Sequence, residues 1–212
     1  MDSRLTDLSV SDLVGRLATD DPVPGGGSAS ALAGAMAAAL VHMVVQLTTG
    51  RPAAAEHERS LAEIRDRAAR LQAELLRLAE EDATAYASVV AARRLPKETD
   101  DERADRREQI ETAVRAATRA PLGVVVRSSE VLTLAEALVS IGNRNAVSDV
   151  GVAGLLAAAA IRAAALNVEI NVPSLDDGDP LRDQARRALN EARSGLDRRE
   201  RELASAVGNR IG

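Results

Sequence analysis

Ten positions in the middle of the chain constrain its fold more than any others. Stepping by three and four, they are Leu61, Ile64, Ala68, Leu71, Leu75, Leu78, Asp82, Ala85, Val89 and Ala92, and nine of the ten are apolar. Residues at this spacing share one face of an α-helix. The run therefore predicts a long helix with a seam for an antiparallel or coiled-coil-like partner. The chain has 212 residues, with 42 Ala, one Tyr, and no Phe, Trp or Cys. A core built from Ala, Leu, Val and Ile lets backbones approach closely, which suits helix on helix.

The rest of the chain reads the same way. A short helix is expected over 9–18, then a loop at 19–27 rich in Pro and Gly. Ser28 is the expected N-cap of an apolar helix reaching about residue 49. The long helix follows over about 53–94, then a turn at 95–99 and a charged helix over 100–119. Pro121 is expected to separate that helix from an apolar one ending near 141. A polar turn at 142–145, an Ala-rich helix over 148–167, a loop at 171–180 and one charged C-terminal helix complete the pattern. Val124, Val125 and Val126 favour strands individually but are read as buried helix. No repeat or linker divides residues 1–212. The expected fold is all-α, a single-domain antiparallel bundle of long helices.

Composition excludes several function classes. Without aromatic platforms and with a net charge of −5, the chain has no general basis for binding nucleic acid. Without Cys, disulfides, thiolate metal sites and Cys nucleophiles are excluded. The two histidines, His42 and His57, fall on different helices, and no metal is expected. The apolar stretch 29–47 has the length of a membrane span. It is rich in Ala rather than Leu and contains His42 and Gln46, so a buried central helix is expected and no membrane. The first ten residues are polar and acidic, unlike a secretory signal, and a cytoplasmic location is expected.

Four features suggest chemistry. Asp82 is the one carboxylate on the apolar seam. Burial there is costly unless the group is paired, and desolvation raises a carboxyl pKa, as a general acid or base near neutral pH requires. The loop Pro22-Val23-Pro24-Gly25-Gly26-Gly27-Ser28 enters a helix N-terminus, a place suited to anions or carboxylates. Lys97 is the only lysine among 27 basic residues, a compact point charge in a loop. Asn143, Asn145, Ser148 and Asp149 cluster at another helix start, where the last two are also potential caps. Beyond them Asp149, Ala153, Leu156, Ala160, Ala163, Asn167 and Asn171 share a face, suited to packing on the 29–47 helix or lining a cleft.

Taken together, Pro22–Ser28, Glu81-Asp82-Ala83-Thr84-Ala85-Tyr86, Arg94–Thr99, Gly142–Asp149 and Asn167–Asn171 resemble the cyclodeaminase/cyclohydrolase family. That family includes the C-terminal half of formiminotransferase–cyclodeaminase and free-standing methenyltetrahydrofolate cyclohydrolases. The resemblance implies an all-helical homodimer or larger assembly acting on one-carbon tetrahydrofolates, with no cofactor beyond the folate-type substrate. It places the family's catalytic aspartate on Asp82. Pro24, Gly25, Gly26, Gly27, Ser28, Tyr86, Lys97, Asn143, Asn145 and Asp149 are then the expected substrate-binding residues. Methenyl hydrolysis is favoured over formimino deamination because no transferase domain is attached. A non-catalytic dimerising bundle and a non-folate amidine substrate are the alternatives. The enzymatic reading expects Asp82 to be shielded by helices beside a pocket sized for a reduced pterin.

Overall fold

All nine apolar positions of the seam are buried. They lie on α3 (Glu58–Arg93), the second of four long helices. The others are α2 (Gly26–Gln46), α4 (Asp100–Ile141) and α5 (Val147–Asn171), preceded by a short α1 (Val10–Leu17) and followed by α6 (Pro180–Arg193) and α7 (Leu196–Ile211). The structure is a computed structural model that describes residues 4–212, and no strand occurs among them. Helices α2 to α5 alternate in direction around a ring, with α3 between α2 and α4 and with α5 closing back on α2. The last two helices pack outside α4 and α5.

Small residues set the spacing of this ring. A side chain at Gly34 of α2 would place its Cβ 2.6 Å from Ser128 Oγ of α4 and 3.2 Å from Leu75 of α3. Helices α2 and α4 therefore approach across the bundle diagonal, a contact that only hydrogen at position 34 permits. On the outer side of α3 and α4 the chain supplies its own polar cover. Arg67 Nε donates to Glu130 at 2.9 Å, and Arg127 pairs with both Glu74 and Glu130. Arg115 of α4 pairs with the buried Asp179 at 2.7 Å, which ties the start of α6 to the bundle.

Several expected boundaries move, each for a physical reason. Pro121 does not separate two helices; α4 runs through it for 42 residues. A helical proline has no N–H for the carbonyl four residues back, here Ala117. Asn171 Nδ2, from the end of α5, donates to that carbonyl at 2.7 Å, so the break is repaired from a neighbouring helix. The C-terminal helix is two helices, divided at Gly195 in the left-handed region with φ 71°. The long helix begins at Glu58 because Pro52–His57 forms a separate 3₁₀ segment. Ser28 is not an N-cap: Gly25 holds that place, and Ser28 lies inside the first turn. The valine cluster is helical as expected, with Val124 and Val125 fully buried, but Val126 is exposed rather than buried.

Two helical stretches, α2 and 144–174, are long and apolar enough to cross a membrane, and 56% and 50% of their apolar windows are buried inside the bundle. One outer face of each is uncovered. On α2 the outward residues follow helical spacing through Ala29, Leu32, Met36, Leu40, Met43 and Leu47, with no charged group among them. The outward face of α5 carries Val152, Leu155, Leu166 and Ile170.

Candidate active site

Asp82 is half-buried where α3 passes the N-terminus of α2. Three consecutive glycines precede Ser28, and one of them is required by the carboxylate itself. A Cβ on Gly27 would lie 2.0 Å from Asp82 Oδ1 and 2.5 Å from Oδ2. The helix start thus rests directly on the carboxylate, with its unpaired N–H groups and positive dipole end toward the negative charge. The Val23–Pro24 peptide leading into it is cis.

Ser28 explains how the acid tolerates this position. Its hydroxyl lies 3.0 Å from Asp82 Oδ2 and 3.0 Å from the Ala79 carbonyl oxygen. A hydroxyl has one proton to donate and lone pairs to accept with. When Asp82 is ionised, Ser28 donates to it. When Asp82 is protonated, its own O–H can donate to Ser28 Oγ while Ser28 turns to Ala79. Both protonation states are therefore hydrogen-bonded. Burial pushes the Asp82 carboxyl above its ordinary value of 3.8, against the opposing pull of the Ser28 hydroxyl and backbone N–H. Among the described carboxyl groups whose shifts are resolved, Asp7, Glu102 and Glu169 move down and Asp82 moves up.

The other expected residues divide into two groups. Pro24, Gly25, Gly26, Gly27 and Ser28 all lie at the Asp82 end of α2. Tyr86 is one turn beyond Asp82 on α3 and 46% exposed. Lys97 is exposed in the turn after α3. Arg93, where that helix ends, is eleven residues past Asp82, or about 16 Å along the axis, so the lysine is not brought to the carboxylate. Asn143, Asn145 and Asp149 lie at the opposite end of α2. Asn143 Nδ2 donates to the Leu47 carbonyl at 3.1 Å, and the Asn143 N–H donates to Thr48 Oγ1 at 2.9 Å. From Ser28 to Leu47 is nineteen residues, about 28 Å of helix. One chain does not unite these asparagines with Asp82.

At the far end the polar residues line a cleft of about 350 Å³ with Arg51, His57, Arg144 and Arg210, and no carboxylate lines it. Neither Ser148 nor Asp149 caps α5, whose N-cap is Ala146 with no side-chain bond. Asn143 instead closes the 3₁₀ turn before it, accepting from the Asn145 N–H at 3.1 Å.

Asn167 is a residue that the candidate set omits. Its amide lies 3.5 Å from where a Cβ on Gly26 would sit, which places it beside the Asp82 end of α2. Its position on the shared α5 face was the available signal. The expected pocket is not enclosed. A groove of about 480 Å³ runs between α3 and α4, lined by Arg77, Glu81, Thr84, Ser88 and Arg119 among others. A second of about 480 Å³ lies nearer the α3–α4 turn. Asp82 lines neither.

A sequence model described as formiminotransferase-cyclodeaminase matches residues 9–190. A methenyltetrahydrofolate cyclohydrolase from Methylorubrum extorquens is 44% identical over 161 residues, covering 76% of this chain and 77% of that protein. Formimidoyltransferase-cyclodeaminase from Rattus norvegicus is 30% identical over 186 residues, 88% of this chain but 34% of that protein. The chain thus spans about a third of the rat protein's length. A crystal structure of formiminotetrahydrofolate cyclodeaminase from Thermotoga maritima superposes with a TM-score of 0.85 at 24% identity, covering 98% of this chain and all of that one. At that identity the likeness is one of fold.

Proposed function

Because the chain belongs to the formiminotransferase-cyclodeaminase family, we propose that it hydrolyses 5,10-methenyltetrahydrofolate to 10-formyltetrahydrofolate, with Asp82 as the proton carrier. The observation that carries this reading is the Asp82–Ser28 pair: a half-buried carboxyl, raised by desolvation and hydrogen-bonded in either protonation state.

The chemistry matches that property. The substrate is an amidinium cation with one carbon between N5 and N10. Ionised Asp82 stabilises that cation and takes a proton from the attacking water as its oxygen bonds to the bridging carbon. The adduct is a neutral tetrahedral carbinolamine. Asp82 then returns its proton to N5 as the N5–carbon bond breaks. The new hydroxyl loses its proton to water, leaving the formyl group on N10 and one proton released overall. The step consumes only water, so the reading includes no cofactor beyond the folate. A homodimer in the cytoplasm completes it.

Deamination of 5-formiminotetrahydrofolate is the second reading, favoured by the similarity to the rat cyclodeaminase over most of this chain. It uses the same carboxyl: N10 attacks the formimino carbon and ammonia leaves with a proton from Asp82. Spectrophotometric assays on both substrates, side by side, decide between them. Methenyl hydrolysis by the wild type and its loss in Asp82→Asn support the proposal. An Asp82→Asn variant that retains near-wild-type hydrolysis rejects the assigned carrier, and activity on the formimino compound alone favours the second reading.

A further inference from the structure

We propose that Asn167 holds the pyrimidine edge of the substrate's pterin: its side-chain N–H donates to the C4 carbonyl oxygen, its Oδ1 accepts the ring N3–H, and the bridging one-carbon unit comes to Asp82. The inference rests on the proposed reaction for the identity of the ligand and on geometry for the place of the residue.

The residue is costly where it stands. Asparagine is a poor helix former because its amide competes with the backbone for hydrogen bonds, and Asn167 lies inside α5 in a mostly apolar stretch. Its neighbour one turn on, Asn171, is accounted for by the Ala117 carbonyl that it serves. Asn167 serves no other helix. Its Nδ2 donates to the Ala163 carbonyl of its own helix at 2.9 Å, and among the described residues its Oδ1 accepts no hydrogen bond. The Ala163 bond matters for recognition. A carbonyl oxygen accepts only from the NH2 end of a carboxamide. The amide is therefore held against turning over, and it presents one remaining N–H and a free oxygen in a fixed order.

The amide is also well placed. It lies against the exposed Gly26, where a Cβ would be 3.5 Å from Nδ2 and 3.7 Å from Oδ1, while Asp82 lies against the next residue, Gly27. Carboxyl and amide thus flank the first two residues of α2, no more than about 12 Å apart. A bicyclic pterin bridges such a gap, with the carbon between N5 and N10 at one end and the pyrimidine ring at the other. Its lactam edge, an N–H beside a carbonyl, is the complement of a carboxamide. Neutrality suits the position as well. A carboxylate at 167 would compete with Asp82 for the cationic end of the substrate, and an amide does not. The pyrimidine edge takes no part in the reaction, so its bonds are the same in the ground and transition states. Their loss is therefore read in KM rather than in kcat.

Kinetics on two substrates test this. Asn167→Ala is expected to raise KM for 5,10-methenyltetrahydrofolate about 10- to 100-fold, the worth of two hydrogen bonds. Its kcat is expected to stay within about threefold of the wild type. The second substrate is the 4-amino-4-deoxy analogue, whose edge has donor and acceptor exchanged. The wild type is expected to disfavour it in kcat/KM, and Asn167→Ala to treat the two alike. Gly26→Ala is an independent probe. Its methyl group meets the amide at ordinary contact distance, so the fold persists by circular dichroism, and KM rises because the amide is covered. An unchanged KM in either variant overturns the proposal. So does a loss in Asn167→Ala that falls equally on both substrates and leaves the wild-type preference intact, the pattern of a merely structural role. Calorimetric binding of 5-formyltetrahydrofolate separates this inference from the reaction. If the wild type turns over neither folate but binds this compound about tenfold or more tighter than Asn167→Ala does, the reaction fails and the inference stands. Equal affinity in the two proteins, or no binding to the wild type, overturns it.

Discussion

Helices α2 and α3 lie side by side and solve burial differently. On α3 the apolar residues form one seam that the chain covers completely, and the remaining surface is largely charged, with Arg67 and Glu74 in ion pairs to α4. α2 has no charged residue at all between Gly26 and Gln46 and is apolar on its covered and uncovered sides alike. The difference separates two kinds of information. A one-sided helix states its partner within the chain. A helix apolar all round specifies more burial than one bundle supplies. The proposed active carboxylate lies where the two meet.

The comparison is sharpened first at Asp82, the one polar member of the α3 seam. Asp82→Asn is expected to lower methenyl hydrolysis by about 10²- to 10⁴-fold, the usual contribution of a positioned acid–base group, with circular dichroism unchanged. Next comes the seam itself. Leu75→Ala removes a fully buried side chain and is expected to cost about 2–5 kcal/mol in denaturant unfolding. Met36→Ala on the outward face of α2 is expected to cost the isolated chain no more than about 0.5 kcal/mol. A large loss for Met36→Ala in a verified monomer, equal to that of Leu75→Ala, breaks the contrast.

Smaller effects follow. Asn171→Ala leaves the Ala117 carbonyl without its donor, and an unpaired buried acceptor costs about 1–3 kcal/mol, measured by thermal unfolding. The weakest concerns pH. The folded-state carboxyl of Asp82 lies above its unfolded value of 3.8, so the folded chain holds this proton more tightly. Its contribution to stability is present below the unfolded value and is lost as pH rises through the folded one. Asp82→Asn removes that loss. The stability difference, variant minus wild type, is therefore expected to increase between pH 4 and pH 7 in paired unfolding curves.

Much of this was legible in the residues. The seam predicted both the α3 burial and the exceptional place of Asp82, because helical spacing converts directly into a face. The loop before Ser28 read as a helix start suited to an anion or carboxylate, although nothing in it pointed to Asp82 as that group. Pro121 misled, since a proline ordinarily ends a helix and the donor that repairs this one arrives from Asn171, fifty residues later. Ser28 misled as well. Its side chain serves a carboxylate on α3 rather than its own helix, and such a partner is invisible to local spacing. Asn143, Asn145 and Asp149 look like companions of Asp82 in the sequence, yet the rise of α2 separates them.

The sequence by itself determined the all-helical class, the seam and the identity of the candidate acid, because these depend on periodicities of a few residues. Only the tertiary structure decided which groups meet. It set Gly27 and Ser28 against Asp82, carried Asn171 to Ala117 and held the asparagine cluster at the far end of α2. The reason is that the ends of long rigid helices are joined in space by how they pack, and packing depends on residues far apart in the chain.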